Sequence, residues 1–141
     1  QFRWVWWRTV AGETFAQSPV FGLGFGYDLA RGFLQAYNPE MADEFSARSP
    51  HNVLVTILGR LGLAGLLIFL GFLGLLAART WRVVRAPESD ATQVAQWIAL
   101  WPIIVSACFG VVLEGPMGAV LFWTLLGIAV QEGRAKAPPA A

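Results

Sequence analysis

A long apolar run dominates the hydrophobic pattern of this chain. Residues 53–78 carry one charged side chain, that of Arg60, among residues that are almost all aliphatic, aromatic or glycine. A helix of about 26 residues measures about 39 Å, whereas the hydrocarbon core of a bilayer is about 30 Å thick. The pattern therefore predicts a helix that spans a membrane, with a surplus at one end.

Two shorter apolar runs follow, and the sequence Glu114-Gly115-Pro116 predicts a tight turn between them. Pro102 lies inside the first run and should kink its helix, which membrane helices tolerate. We therefore expect an all-α membrane protein. The predicted transmembrane helices are residues 53–78, 94–113 and 117–130, with a connecting loop at 79–93 and a tail at 131–141.

Residues 1–50 are more polar and predict a loop segment with short amphipathic helices. Residues 1–17 mix tryptophan with arginine, which suits a helix at a water–lipid boundary. Residues 18–28 alternate glycine with apolar residues and predict a loop, but they match neither a dinucleotide fingerprint nor a phosphate-binding P-loop. Asp28 should cap a short helix that ends near Tyr37, and a second short helix is expected at 38–47.

Composition and charge narrow the class of function. The chain is 56% hydrophobic and 13% charged with a net charge of +1, so it offers no basic stripe that could follow a nucleic acid. The strongest basic cluster, formed by Arg79, Arg82 and Arg85, lies in the predicted loop, and the tail adds Arg134 and Lys136. The positive-inside rule places both segments in the cytoplasm. Residues 1–52 are then extracytoplasmic, in the periplasm of a two-membrane bacterium. We expect the chain, which begins with Gln1, to be the C-terminal part of a longer bundle in a bacterial inner membrane.

The sequence Ser49-Pro50-His51-Asn52 contains the only histidine and precedes the long apolar run. Ser49 suits an N-cap and Pro50 the first helical position, which would place His51 and Asn52 in the first turn of the helix. The free N–H groups of such a turn attract anions, including a diphosphate. The spacing alone leaves open whether His51 is a catalyst or an interfacial hydrogen-bonding residue.

Helical projection adds two expectations for this region. In a regular helix, Gly62 and Gly65 would lie below His51 on one face, and these small residues would let that face pack into a bundle. Arg60 would lie on the opposite face, where its side chain could reach the lipid headgroups. One histidine and the lone Cys108 provide too few ligands for a metal site.

The order of motifs resembles the O-antigen ligase and O-antigen polymerase-like membrane protein family. The similarity covers residues 3–71, and the motifs that carry it are Arg3 with Trp7, Pro19 with Gly22-Leu23-Gly24-Phe25-Gly26, His51-Asn52, and Gly62-Leu63-Ala64-Gly65. This chain departs from the family at Arg60, where relatives often carry an acidic residue.

The resemblance implies a fold and an activity. Members are helical bundles that transfer a glycan from an undecaprenyl diphosphate carrier to an acceptor hydroxyl on a glycolipid, a glycan or a protein, without a metal or cofactor. It implies that His51 is the base, that Arg3 holds the diphosphate, and that Asn52, Trp7 and Gly24 contribute to substrate binding. The alternative is a non-enzymatic polytopic subunit that exports or scaffolds envelope polysaccharide.

Overall fold

The structure is a computed structural model that describes residues 2–37 and 49–135. Its described part contains helices and turns without strands, which confirms the all-α prediction. The helices are α1 (Phe2–Gln17), α2 (Arg31–Tyr37), α3 (Val53–Arg85), α4 (Ala91–Ala107) and α5 (Pro116–Ala135). The helix expected at 38–47 lies outside the described residues.

Among the described helices, α3 alone is both long and apolar enough to cross a membrane; α4 and the 116–131 part of α5 are shorter apolar helices. The predicted end of α3 at residue 78 is wrong, because the helix continues through Arg79 and Arg82 to Arg85. Arginine is a good helix former, and its charge is favourable at a helix C-terminus. Pro87 then prevents further continuation. The loop predicted at 79–93 is therefore confined to residues 86–90.

The bounds of α4 and α5 also differ from the prediction. Helix α4 begins three residues early, because the Asp90 side chain accepts a hydrogen bond from the Gln93 amide at 2.8 Å and caps it. It ends at Ala107 instead of residue 113, and a stretch of turns follows. Pro116 opens α5 at the first helical position, where its missing N–H is tolerated.

The chain divides into two compact units. The first contains α1, α2, the start of α3 and residues 108–111. In its core, the Trp6 ring stacks on Phe33 with centroids 5.1 Å apart, and the indole N–H donates to the Leu29 carbonyl at 2.8 Å. The second unit packs the end of α3 with α4 and α5 around a core of Leu76, Val83, Trp97, Leu100, Ile104, Phe122 and Ala129.

Helix α3 is interrupted at Gly62, whose φ of 65° and ψ of −160° are not helical. This combination is essentially restricted to glycine. The helix therefore consists of segments 53–61 and 63–85. The projection that aligned Gly62 and Gly65 below His51 on one continuous face is wrong, because it assumed a regular helix throughout.

Replacing Gly62 with alanine should destabilise the first unit. A Cβ at this position would lie 2.4 Å from the Val20 carbonyl oxygen and 2.5 Å from the Gly22 amide nitrogen, in addition to the backbone strain. We expect a loss of about 2 kcal/mol or more in the free energy of unfolding, measured by denaturant titration in detergent micelles. Gly71→Ala is the matched control, because it meets open space in the same helix. Equal stability of the two variants would contradict the interruption.

Candidate functional site

The turn before α3 differs from the predicted one. Helix α3 begins at Val53, so Asn52 and not Ser49 is its cap. The Asn52 side-chain oxygen accepts hydrogen bonds from the amides of Leu54 at 3.0 Å and Val55 at 3.2 Å. Asparagine is among the strongest capping residues, and here it outcompetes the Ser49–Pro50 pair. His51 consequently precedes the helix and is not part of its first turn.

His51 has a strained backbone, with a φ of 55°. Few residues other than glycine adopt this left-handed conformation, although histidine does so more often than most. The Ser49 hydroxyl oxygen supports it by accepting a hydrogen bond from the His51 amide at 3.2 Å. Strain of this kind persists only when surrounding contacts impose it, and it clusters at functional sites.

The imidazole of His51 has a defined orientation. Its Nδ1 lies 2.7 Å from the Ser49 carbonyl oxygen. Because a carbonyl can only accept, the hydrogen bond places a proton on Nδ1. In the neutral ring, Nε2 is then the atom that carries the lone pair. This is the tautomer through which a histidine can accept a proton from a hydroxyl group.

Two tryptophans of α1 hold the turn from one side. The Trp7 indole N–H donates to the Pro50 carbonyl at 2.8 Å. The buried Trp6 ring meets the His51 ring edge-on, with centroids 6.3 Å apart. The structure thus places Trp7 against the turn that contains His51 and Asn52, and adds Trp6, which the sequence analysis did not select. The described contacts of Trp7 are with the protein, and its binding of substrate stays a prediction.

Arg3 lies one helical turn before Trp7 and is exposed. Its Nη1 donates to the Phe109 carbonyl at 3.0 Å. Among the described residues, the hydrogen bonds of Arg3 do not include one to His51. An arginine has five N–H donors, so several remain available for an anion.

The glycine-containing loop 18–27 is docked into the interruption of α3. The amides of Leu23 and Gly24 donate to the carbonyls of Gly59 and Arg60 at 2.7 and 3.1 Å. In return, the carbonyls of Pro19 and Val20 accept from the amides of Leu63 and Ala64 at 2.9 and 3.0 Å. The loop therefore pairs the helical groups that the interruption would leave without partners.

Gly22 makes this docking possible. Its φ is 77°, and a Cβ there would lie 2.5 Å from the Gly62 amide nitrogen. The two glycines thus allow two backbone segments to approach more closely than side chains would permit. The sequence shows both glycine motifs but not their pairing, because they are 40 positions apart and belong to different elements.

The side chain of Arg60, on α3, forms hydrogen bonds with the loop. The two N–H groups of its Nη1 are shared among three carbonyl acceptors, those of Gly24 at 3.0 Å, Phe25 at 2.9 Å and Tyr27. Arg60 therefore has carbonyl acceptors within the protein, which the sequence analysis did not foresee, and its contact with lipid headgroups stays a prediction. Gly24, with a φ of 83°, has its amide and its carbonyl bonded to α3. The substrate contact predicted for Gly24 stays a prediction.

The described residues contain no group of three or more His, Cys, Asp or Glu side chains that could hold a metal ion. Cys108 is a half-buried free thiol.

Replacing Arg60 with glutamine should release the loop. A hydrogen bond from a charged guanidinium contributes about 1.5–3 kcal/mol, and the neutral, shorter side chain of glutamine cannot reach all three acceptors. We expect limited proteolysis after Phe21 and Phe25 to accelerate in the Arg60→Gln protein. Arg8→Gln, an exposed arginine of α1, is the charge-matched control and should be cleaved at the wild-type rate. Unchanged cleavage in both variants would show that Arg60 does not hold the loop.

Comparison with known proteins does not place this chain in a family. No family model, no curated protein and no solved structure matches it. The assignment of a function therefore depends on the residues of this chain.

Proposed function

We propose that this chain is part of a membrane-bound transferase that moves a glycan from an undecaprenyl diphosphate carrier to an acceptor hydroxyl at the periplasmic face. The acceptor belongs to a glycolipid, a glycan or a protein. His51 removes the proton from the attacking hydroxyl, and Arg3 binds the carrier diphosphate that leaves. No metal or cofactor takes part in this scheme.

The geometry of His51 is the observation that carries this proposal. The Nδ1–H···O=C bond to Ser49 holds the ring with Nε2 as the acceptor, as general-base catalysis requires. A strained φ of 55° is maintained at the same residue. A purely space-filling histidine needs neither feature, because any rotamer that fills the gap would serve it.

The membrane arrangement supports the same site. Helix α3 has the length and composition of a membrane-crossing helix. Helix α4, with 17 residues, extends about 26 Å and so covers most of a layer about 30 Å thick. On α5, Met117, Val120, Leu121 and Trp123 are exposed apolar residues that suit a lipid or bundle environment. The three exposed arginines at the end of α3 favour a cytoplasmic C-terminal end, which leaves the His51 turn on the other face.

Arg3 fits the role of an anion-binding residue by its position and exposure. It is held by one hydrogen bond to Phe109 and keeps further donors on a planar guanidinium. Such a group can bind two oxygens of a diphosphate at once and stabilise the charge that develops on it. Arg3 lies on the helix whose next turn contacts the His51 turn through Trp7.

A second candidate function follows from the same contacts. Trp7 bonded to Pro50 and Trp6 against His51 could serve only to fix α1 on the start of α3. The chain would then belong to a non-enzymatic subunit that exports or scaffolds envelope polysaccharide. The two functions differ in what a substitution of His51 changes.

His51→Asn in the full-length enzyme should abolish glycan transfer while preserving the fold. Asparagine tolerates the left-handed backbone that His51 adopts, but its amide cannot act as a base. We expect a loss of about 10²–10⁴-fold in the transfer rate from a lipid-linked donor, with an unchanged unfolding midpoint. Wild-type turnover in this variant would contradict a catalytic role and favour the structural alternative.

Arg3→Lys should also impair transfer strongly, because a point charge replaces a forked donor that matches a diphosphate. The expected change is a decrease in kcat/KM for the lipid-linked donor, measured in detergent with purified protein. Arg8→Lys, an exposed arginine on the same helix, is the control and should retain wild-type kinetics. Equal kinetics of the two variants would remove Arg3 from the mechanism.

A further inference from the structure

The docked loop exposes large apolar side chains. Phe21 is 76% exposed and Phe25 is 78% exposed, and Val20 beside them is half exposed. An aromatic side chain offers about 150–250 Å² of surface, so the two rings alone present about 300 Å² of apolar area. The largest apolar patch on a typical soluble monomer measures about 300–600 Å² and is often functional, so these two rings alone come close to that size.

The backbone of the loop is hydrogen-bonded to α3 where it presents these rings. Its backbone is bonded to α3 on both sides of Gly62, and Arg60 binds the carbonyls of Gly24 and Phe25. Leu23 points the other way and packs against the core formed by α1 and α2. The exposure of Phe21 and Phe25 is therefore imposed by the docked backbone and is not the result of a loosely attached loop.

The position of the loop identifies what surrounds the rings. Leu61 and Leu63, next to Gly62, are exposed, and Leu67 one turn later is 65% exposed. These residues belong to the helix that is long and apolar enough to cross a membrane. The loop is hydrogen-bonded to this helix at residues 59–64, so its rings extend the same apolar surface.

The hydrogen bonding of the loop suits the same environment. Irregular backbone at membrane depth is tolerated only where its polar groups find partners within the protein. Here the helix and the loop exchange four backbone hydrogen bonds across the interruption, and Arg60 binds carbonyls that follow. An aqueous loop would not need this pairing, because water could satisfy the same groups.

We propose that residues 19–25 form a shallow re-entrant loop that inserts Phe21 and Phe25 among the lipid acyl chains. This places the loop, which the sequence pattern assigned to the periplasm, at the outer edge of the hydrocarbon layer. The inference rests on the membrane insertion of α3 in the proposed function, but not on glycan transfer. The uninterrupted segment 63–85 measures about 35 Å, so it can cross a hydrocarbon layer of about 30 Å that begins at the docked loop.

Site-directed spin labelling tests this placement. In a Cys108→Ser background, single cysteines replace Phe21 and, separately, Phe25, and the labelled full-length chain is placed in nanodiscs of phosphatidylethanolamine and phosphatidylglycerol. Oxygen reports exposure to lipid, and a water-soluble nickel chelate reports exposure to solvent. Leu67→Cys is the lipid-exposed control, and Glu88→Cys, in the connection before α4, is the water-exposed control.

We expect both loop labels to behave like the Leu67 label. Oxygen should relax the spin labels, and the water-soluble nickel chelate should not. Labels that respond to nickel like the Glu88 label would overturn the inference, since the loop would then lie in water. Labels that respond to neither reagent would also overturn it, because protein would cover the rings. A Leu67 label that responds to nickel would instead contradict the membrane insertion of α3, and with it the proposed function.

Discussion

Backbone groups that lose their helical partners must find others, and this constraint organises the first unit of the protein. Gly62 interrupts α3 in the middle of an apolar run, where unpaired amides and carbonyls cost several kcal/mol each if water cannot reach them. The loop at 18–27 meets this requirement by pairing with residues 59–64. The docking requires glycine at position 22, where the two backbones approach closely, and it brings the loop carbonyls within reach of Arg60.

The start of α3 depends on the same constraint. The first amides of a helix have no partners within it, and the Asn52 side chain accepts two of them. Because Asn52 is the cap, the helix begins at Val53. His51 therefore precedes the helix, and its backbone is left-handed. The orientation of the imidazole toward Ser49 thus follows from how the helix begins. In the proposed mechanism, the turn that caps the helix also orients His51 as the general base.

The local features of the fold were predictable from the sequence, and its long-range features were not. The helix at the N-terminus, the capping by Asp28 before α2 and a turn between the last two helices follow from residue types within one or two turns. The interruption at Gly62 could not be predicted, since glycine is common in membrane helices. It becomes favourable only when Gly22, far away in the sequence, allows a loop to approach. The hydrogen bonds of Arg60 could not be predicted for the same reason, because its three carbonyl acceptors lie in that loop.

For the candidate site, the sequence identified Trp7, His51 and Asn52, which the structure brings together. It missed Trp6, because a tryptophan buried in a helical core has no distinctive local signal. It also misassigned the cap, since Ser49, Pro50 and Asn52 are all suitable near a helix start. Asn52 is the cap because its side-chain oxygen accepts from two amides of the first turn.

Hydrogen–deuterium exchange of the wild-type protein in nanodiscs tests the central claim, that the loop completes the interrupted helix. The amides of Leu23 and Gly24 donate to α3 carbonyls, so we predict that they exchange as slowly as amides inside the helix segment that follows Gly62. Exchange of these two amides at the rate of an open loop, while residues 59–64 remain protected, would mean that α3 is continuous and that the loop is not docked.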